Sequence, residues 1–369
     1  MTSSTTHKHA EYQRFSEAFL PHQRFMNAYY AVIDAISYSG IEDEPPCLHI
    51  TGPAGVGKTT LKNKLGVEYP VIADGRKIVS PGSPDLTTNS VPLLQFDFPP
   101  NPTVISVAQA ILRAYGDPRW NKGDRANLTY RVDLAIVSSG TVALLGDEAQ
   151  RMVDRNGIVV KDELLDWIKE RHARNRCVIV LLGLGRLRHL FERDAQIERR
   201  WDAEIRLEPY RWLMNDGKPD VDDQANFIAI VQALQNVSPI PFSRDLQMDQ
   251  ATETEVDLIA LRFFFASQGL IGRLKKLHKM ALREFKRENV GDSKIDLPLL
   301  KQAYAAAFGR QSVRLQNPFD SSWTPFFADG SIQLPAPVED DTAPLHVARR
   351  SRPTKKQIKN DLRQSLRKG

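Results

Sequence analysis

The chain has 369 residues, of which 41% are hydrophobic, 26% charged and 8% aromatic, enough for two ordinary domains or one large domain with an appendage. This mixture excludes a mostly disordered chain, a collagen-like chain and a small disulfide scaffold. The net charge of +5 is unevenly placed: Arg349 to Gly369 holds nine basic residues and one acid, which leaves 41 basic and 44 acidic residues elsewhere, a net of −3.

In chain order, residues 11–44 read as helical, with Phe15, Phe19, Phe25, Tyr29, Val32, Ile33 and Ile36 near helical spacing. Pro45 and Pro46 end that N-terminal segment, 1–44. Cys47 to Ile50 predicts a short strand running to Gly52, and Lys58 to Leu65 a helix. Val91 to Phe98 is a second strand, closed by Pro99 and Pro100; Val104 to Tyr115 and Ala126 to Val137 are helices. Thr141 to Leu145 is a third strand and runs into Asp147 and Glu148. A helix over Glu163 to His172, a buried strand over Val178 to Leu182, a helix around Arg186 to Arg193 and a strand over Glu204 to Leu207 complete the series. Short apolar strands alternating with helices predict an α/β core, 45–215, built on a parallel sheet covered on both faces.

From residue 216 to 310 the strand signals stop. Asp222 to Leu234, Glu253 to Ala266, Leu270 to Phe285 and Leu297 to Phe308 predict a small helical domain, with Leu270, Leu274, Leu277 and Ala281 as one apolar stripe. Prolines then recur through 311–348, which reads as a linker, and 349–369 is the basic tail. In the tail Ile358, Leu362 and Leu366 share one helical face, suiting a short amphipathic helix that folds on a partner. Two cysteines, Cys47 and Cys177, cannot form a metal cage. No apolar run approaches the ~18 residues of a membrane span, and the polar N-terminus carries no secretory pattern. The expectation is a soluble, reduced, cytoplasmic protein without a membrane partner.

One motif carries chemistry directly. Gly52, Pro53, Ala54, Gly55, Val56, Gly57, Lys58 and Thr59 match G-x-x-x-x-G-K-[ST], with an apolar strand before and a helix after. Glycines let successive backbone N–H groups turn toward phosphate oxygens, and the helix adds its positive end. Lys58 reaches the terminal phosphates and the Thr59 hydroxyl suits Mg²⁺; Thr60 completes the loop. ATP with Mg²⁺ is the implied ligand pair. At the end of the third strand, Asp147 is placed to hold the metal's water shell and Glu148 to polarise an attacking water.

Three basic features are less specific. Arg199 and Arg200, before Trp201, suit a subunit edge where an arginine meets a neighbour's γ-phosphate, or are plain surface residues beside Glu198 and Asp202. Arg273 opens a helix carrying Lys275, Lys276, Lys279, Arg283, Lys286 and Arg287: it either closes over the nucleotide or joins a solvated basic face, itself a nucleic-acid candidate. Arg119, Lys122 and Arg125 cluster with Trp120 in a turn, where phosphate contact and an ordinary loop both fit.

The order of these parts resembles an AAA+ ATPase and, more narrowly, the TnsC/TniB family of transposition regulators. The segments carrying the resemblance are Leu48 to Thr60, Val91 to Thr103, Ala110 to Pro118, Leu144 to Gln150 and Leu181 to Leu187. The proline-rich exit from the second strand, followed by a helix ending in Gly116-Asp117-Pro118, is the most particular. The resemblance implies an ATP-hydrolysing AAA+ P-loop core with a helical lid, assembling as a ring or filament on duplex DNA. It implies a partner transposase, engaged through the basic tail, and a target-selection factor. Lys58 and Thr59 match its Walker A pair, Asp147 and Glu148 its Walker B pair, Arg199 or Arg200 its arginine finger, and Arg273 its sensor-2 arginine. In place of a polar sensor-1 residue the chain has Leu182 to Arg186, which implies slow hydrolysis or a relocated sensor. An initiator or helicase loader of the same fold and, more distantly, a P-loop small-molecule kinase are the alternatives.

Overall fold

Five short strands form the expected parallel sheet. The computed structural model describes residues 20–39, 41, 45–77, 87–153, 162–191, 201, 204–249, 251–288, 294–312, 316–325, 332 and 334–335. In chain order the elements are α1 (Gln23–Tyr38), β1 (Cys47–Thr51), α2 (Lys58–Glu68), β2 (Ile72–Lys77), β3 (Thr87–Ser90), β4 (Leu93–Asp97), α3 (Val104–Ala114), α4 (Arg125–Ser138), β5 (Ala143–Asp147), α5 (Asp162–Asn175), β6 (Val178–Gly183) and β7 (Ile205–Arg206). Four helices follow: α6 (Val221–Asn236), α7 (Glu253–Ser267), α8 (Ile271–Glu288) and α9 (Leu297–Ser312).

The sheet order is β4-β5-β6-β1-β7, and every pairing is parallel. β1 and β6 are buried along their whole length, as continuous apolar runs in a doubly covered sheet must be. One face packs on α3, α4 and α5 through Val107, Leu128, Val132 and Leu165. The other packs on α1 and α2 through Phe25, Val32, Leu61 and Leu65. All strands point their C-terminal ends the same way, so the loops after β1 and β5 emerge together, where ligands bind in open α/β sheets. Cys47 and Cys177 are buried and form no disulfide with each other, and burial pushes the Cys177 thiol up to about 12.

A third core joins α6 to α9, with Phe227, Phe263, Leu274, Leu277 and Tyr304 at its centre. The predicted stripe Leu270, Leu274, Leu277 and Ala281 is buried throughout. Local chemistry fixes several helix starts: Thr103 with Ser106 forms a capping box on α3, Asp124 caps α4, and Thr252 with Glu255 forms a capping box on α7.

Four expectations are corrected. Among the described residues the helix expected over 11–44 is interrupted at Leu20 to His22 and runs from Gln23 to Tyr38; His22 takes an extended conformation (φ −140°, ψ 152°) and accepts the Phe25 N–H as its cap. Residues 1–19 lie outside the described residues. In the described part of the helix expected around Arg186 to Arg193 the chain forms a 3₁₀ turn, Gly185–Leu190, entered through Gly183 and Gly185, which disfavour an α-helical start. An antiparallel ribbon, β2 with β3, stands apart from the main sheet between α2 and β4, where no strand was expected. The proline-rich stretch after residue 310 is not all linker: Phe319 and Trp323 are buried in the helical core, and Arg262 holds the Pro318 and Asp320 carbonyls while covering the Trp323 ring at 5.0 Å. The basic tail, 349–369, lies outside the described residues. Among the described residues no helix is long and apolar enough to cross a membrane.

Candidate functional site

The loop after β1 curls as its glycines require. Gly55 and Gly57 hold φ of 84° and 119°, in the region that L side chains rarely enter. Gly57 is the N-cap of α2 and offers no side-chain cap, so the first N–H groups of this 11-residue helix are left for an anion. A Cβ on Gly52 would lie 2.2 Å from the Leu207 carbonyl oxygen, so the loop threads directly beside the exit of β7. The Lys58 ammonium donates to the Gly52 and Pro53 carbonyls, the latter at 2.9 Å.

A cavity of about 380 Å³ opens over this loop. Ala54 to Thr60 form its floor, Asp147, Glu148, Gln150 and Leu184 one wall, and Ile271, Gly272 and Lys275 the opposite wall. Leu20, His22 and Phe25 close one end, giving an apolar side beside a strongly polar one. That division suits a ligand with a flat base at one end and phosphates at the other.

Asp147 and Glu148 stand at the C-terminal end of β5. Asp147 accepts the Glu148 N–H at 2.8 Å, and its Oδ2 lies 3.3 Å from the Lys62 ammonium. Lys62 also holds Asp97, the in-register neighbour of Asp147 on β4. Burial pulls the Lys62 ammonium down, but the two carboxylates outweigh it and leave the group above its usual value. Glu148 itself is left-handed, at φ 59° and ψ 29°, a conformation that costs a non-glycine residue about 1–2 kcal/mol. Its carboxylate accepts the Gln150 amide at 3.0 Å and lies 3.3 Å from Arg151. Gln150 is buried, and its other amide atom accepts the Leu184 N–H at 3.2 Å. Gly183 makes this possible, since a Cβ there would meet Gln150 Oε1 at 2.9 Å.

The opposite wall is tied to the floor. The Gly272 N–H at the start of α8 donates to the Gly55 carbonyl at 3.0 Å, and a Cβ on Gly272 would come within 2.5 Å of that oxygen. Lys275, one turn on, lines the cavity; burial and then Lys279 lower its pKa. His22 at the closed end also accepts from the Tyr210 hydroxyl, at 3.0 Å. Burial, with Arg24 and Lys275 adding to it, lowers its pKa to about 4, so it is neutral at pH 7. Arg24 beside it spans to the helical region, bonding both Asp223 oxygens at 2.7 Å.

Most residues singled out from sequence therefore converge on one cleft: Ala54 to Thr60, Asp147 and Glu148 line it, while Gly52 and Pro53 hold Lys58 from behind. Arg273 does not line it. Its guanidinium turns into the helical core, 4.7 Å from the Phe308 ring centre and bonded to Gln268, and Lys275 is the cation of α8 that faces the cavity. Arg199 and Arg200 lie outside the described residues. Arg119 and Lys122 share an exposed turn, whereas Arg125 opens α4 and pairs with Glu163. Sequence reasoning missed Gln150 as a site residue, together with His22, Lys62, Gly272 and Lys275. The spacing from Asp147 to Gln150 was a usable signal only once a left-handed Glu148 was known.

The residues present fit Mg²⁺. Thr59 and Asp147 offer hard oxygen donors to one cavity, and among the described residues no group of three or more His, Cys, Asp or Glu could hold a metal alone. That is the arrangement expected of an ion held partly by phosphates.

Residues 41–191 match the family described as an AAA domain. Among solved structures the chain is similar to the Aeropyrum pernix ORC1 protein in complex with DNA, with 14% identity and a TM-score of 0.50 over 79% of this chain and 67% of that one. It also matches Cdc6p from Pyrobaculum aerophilum, with 14% identity and a TM-score of 0.49 over 79% and 69%. The architecture is thus the AAA+ P-loop fold, a five-stranded parallel sheet with helices on both faces followed by a helical region.

Proposed function

We propose that this chain is a nucleotide-driven AAA+ ATPase that assembles with copies of itself on duplex DNA, with residues 45–215 as the ATPase core and 216–310 as its lid. The observation carrying this reading is the convergence of the P-loop, Asp147, Glu148 and the start of α8 on one cavity of about 380 Å³. Backbone N–H groups of 55–60 and the Lys58 ammonium bind the phosphates, and the apolar end formed by Leu20, Phe25 and Ile271 receives the base. Thr59 and Asp147 would hold Mg²⁺, which supplies neutralisation of charge on the phosphates. Glu148 accepts the proton of the attacking water, and Gln150 and Arg151 fix its carboxylate. Arg199 or Arg200 of an adjacent copy would neutralise charge at the γ-phosphate.

Initiation or helicase loading is the first of two specific roles. Its support is the similarity of fold to the Aeropyrum pernix ORC1 protein in complex with DNA. Regulation of transposition is the second, supported by the proline-rich exit Phe98 to Thr103 and the Gly116-Asp117-Pro118 helix end. In that role the tail, 349–369, would engage a transposase, and a target-selection factor would load the protein. Electron microscopy of the protein with duplex DNA and a non-hydrolysable ATP analogue tests the shared reading; rings or filaments are expected, and monomers under every condition would sink it. Presenting DNA-bound assemblies to a replicative helicase and to an integrase-type transposase then separates the roles by which enzyme is retained.

A further inference from the structure

We infer that the outer face of α8 is the rail on which the protein grips DNA phosphates, so that the lid wall of the nucleotide cleft and the DNA surface are one rigid helix. This rests on the proposed DNA-binding function and names the surface that performs it. Helix α8 carries seven Lys and Arg residues against Glu284 and Glu288, a net of +5, equal to the net charge of the whole chain.

The charge is not there for the helix's own sake. Lys275 with Lys279, Lys276 with Lys279, Lys279 with Arg283, and Arg283 with Lys286 and Arg287 make five like-charge pairs at i, i+3 or i, i+4. Each such pair opposes helix formation. Only Glu284 with Arg287, at 2.9 Å, pulls the other way among the described residues. Lys276, Arg283, Lys286 and Arg287 are exposed and Lys279 is half-buried; Lys279, Arg283 and Lys286 form no ion pair among the described residues. The inward face, Leu274, Leu277, Ala281 and Leu282, is buried, so packing holds the cations outward. At about 1.5 Å per residue, Lys276 and Arg287 are about 17 Å apart, the axial span of about five phosphates on one DNA strand.

The same helix touches the nucleotide loop. Its Gly272 N–H sits on the Gly55 carbonyl and Lys275 faces the cleft. Seating of phosphates in the P-loop and docking of DNA on the rail therefore act on one body, and whatever factor one ligand contributes to the affinity for the other is returned in equal measure.

The test is the salt dependence of binding to a mixed-sequence DNA duplex, with a non-hydrolysable ATP analogue present. Replacing Lys279, Arg283 and Lys286 together by Gln should lower the slope of log K against log salt by about 2.7, at about 0.9 per lost phosphate contact. Affinity for the ATP analogue without DNA should stay at the wild-type value, which reports a folded lid. A wild-type slope in that variant overturns the rail, and more decisively if Arg119→Gln with Lys122→Gln lowers the slope instead. Binding of the wild type to phosphatidylserine vesicles in preference to DNA also overturns it. Absence of any DNA affinity in the wild type at low salt would instead remove the functional reading on which the rail depends.

Discussion

The Gln150 side chain joins the Glu148 carboxylate, at 3.0 Å, to the Leu184 N–H, at 3.2 Å, and so ties the end of β5 to the end of β6. The stretch at the end of β6, Leu182 to Leu184, offers no polar side chain, and the polar group that reaches this place comes from the turn that follows β5. If Gln150 orients Glu148, then Gln150→Ala should lower kcat for ATP hydrolysis by about tenfold to a hundredfold and leave the nucleotide Kd nearly unchanged. A matched loss of affinity would show that Gln150 merely supports the cleft.

In the proposed mechanism Lys58 and Glu148 act at different moments, so their variants should separate experimentally. Lys58→Ala removes a phosphate-binding cation, so analogue binding and assembly on DNA should both fall to background. Glu148→Gln keeps the shape of the site and removes its base; assembly should persist while turnover drops by about 10² or more. Equilibrium binding of a fluorescent analogue with a phosphate-release assay distinguishes them. Identical behaviour of the two variants contradicts the assigned roles.

The contact of Gly272 with Gly55 leaves no room for a methyl group. Gly272→Ala should push α8 away from the P-loop at a cost of about 1–3 kcal/mol, read as a lower Tm and weaker nucleotide binding together.

Arg24 and Asp223 join the N-terminal helix to the helical region through a largely buried, two-pronged pair, and Arg24 also bonds the Glu208 and Pro209 carbonyls. Asp223→Ala should cost about 2–3 kcal/mol, because it strands both the guanidinium and the Arg211 N–H that the carboxylate accepts at 2.8 Å. A double-mutant cycle with Arg24→Ala in urea melts should return a coupling of about 1–2 kcal/mol.

Three histidines are held neutral by burial. His22 and His49 are lowered to about 4 and His278 to about 3, all from 6.5. The unfolded chain therefore takes up protons below pH 6.5 that the folded chain refuses. Stability is full above that value, falls as pH drops, and levels near pH 4 for His22 and His49 and near pH 3 for His278, with up to about 1.4 kcal/mol per unit from each. Urea melts at pH 7 and pH 5 check this; equal midpoints at the two values would mean the histidines are not neutral in the fold.

What was readable in the sequence was whatever has a strong local signature. β1, β5 and β6 announce themselves as apolar runs, and Gly52 to Thr59 can hardly be another structure. The β2–β3 ribbon was not readable because Ile-Ala-Asp-Gly-Arg-Lys and Thr-Thr-Asn-Ser have no alternating apolar face; it forms by pairing alone, with an irregularity between Ile72 and Arg76 where Gly75 is left-handed. Arg273 was misdirected for a different reason. Spacing puts it on the right helix near the cleft, but helical rotation turns it toward Phe308 and brings Lys275 to the cavity. Gln150 was hidden because its role depends on the left-handed turn at Glu148, which tertiary packing imposes.

The burial of Phe319 and Trp323 changes how this protein can be dissected. Each fills the helical core with an aromatic side chain, worth about 1.5–3 kcal/mol for Phe alone. A chain shortened at residue 310, the expected end of the helical domain, would cut α9 short of Ser312, hollow out the core under α7 and α9, and mimic a lost function with a lost structure. Ile332 and Leu334 pack against the same core. Any deletion meant to isolate the contribution of the cationic terminus should therefore cut beyond Pro335.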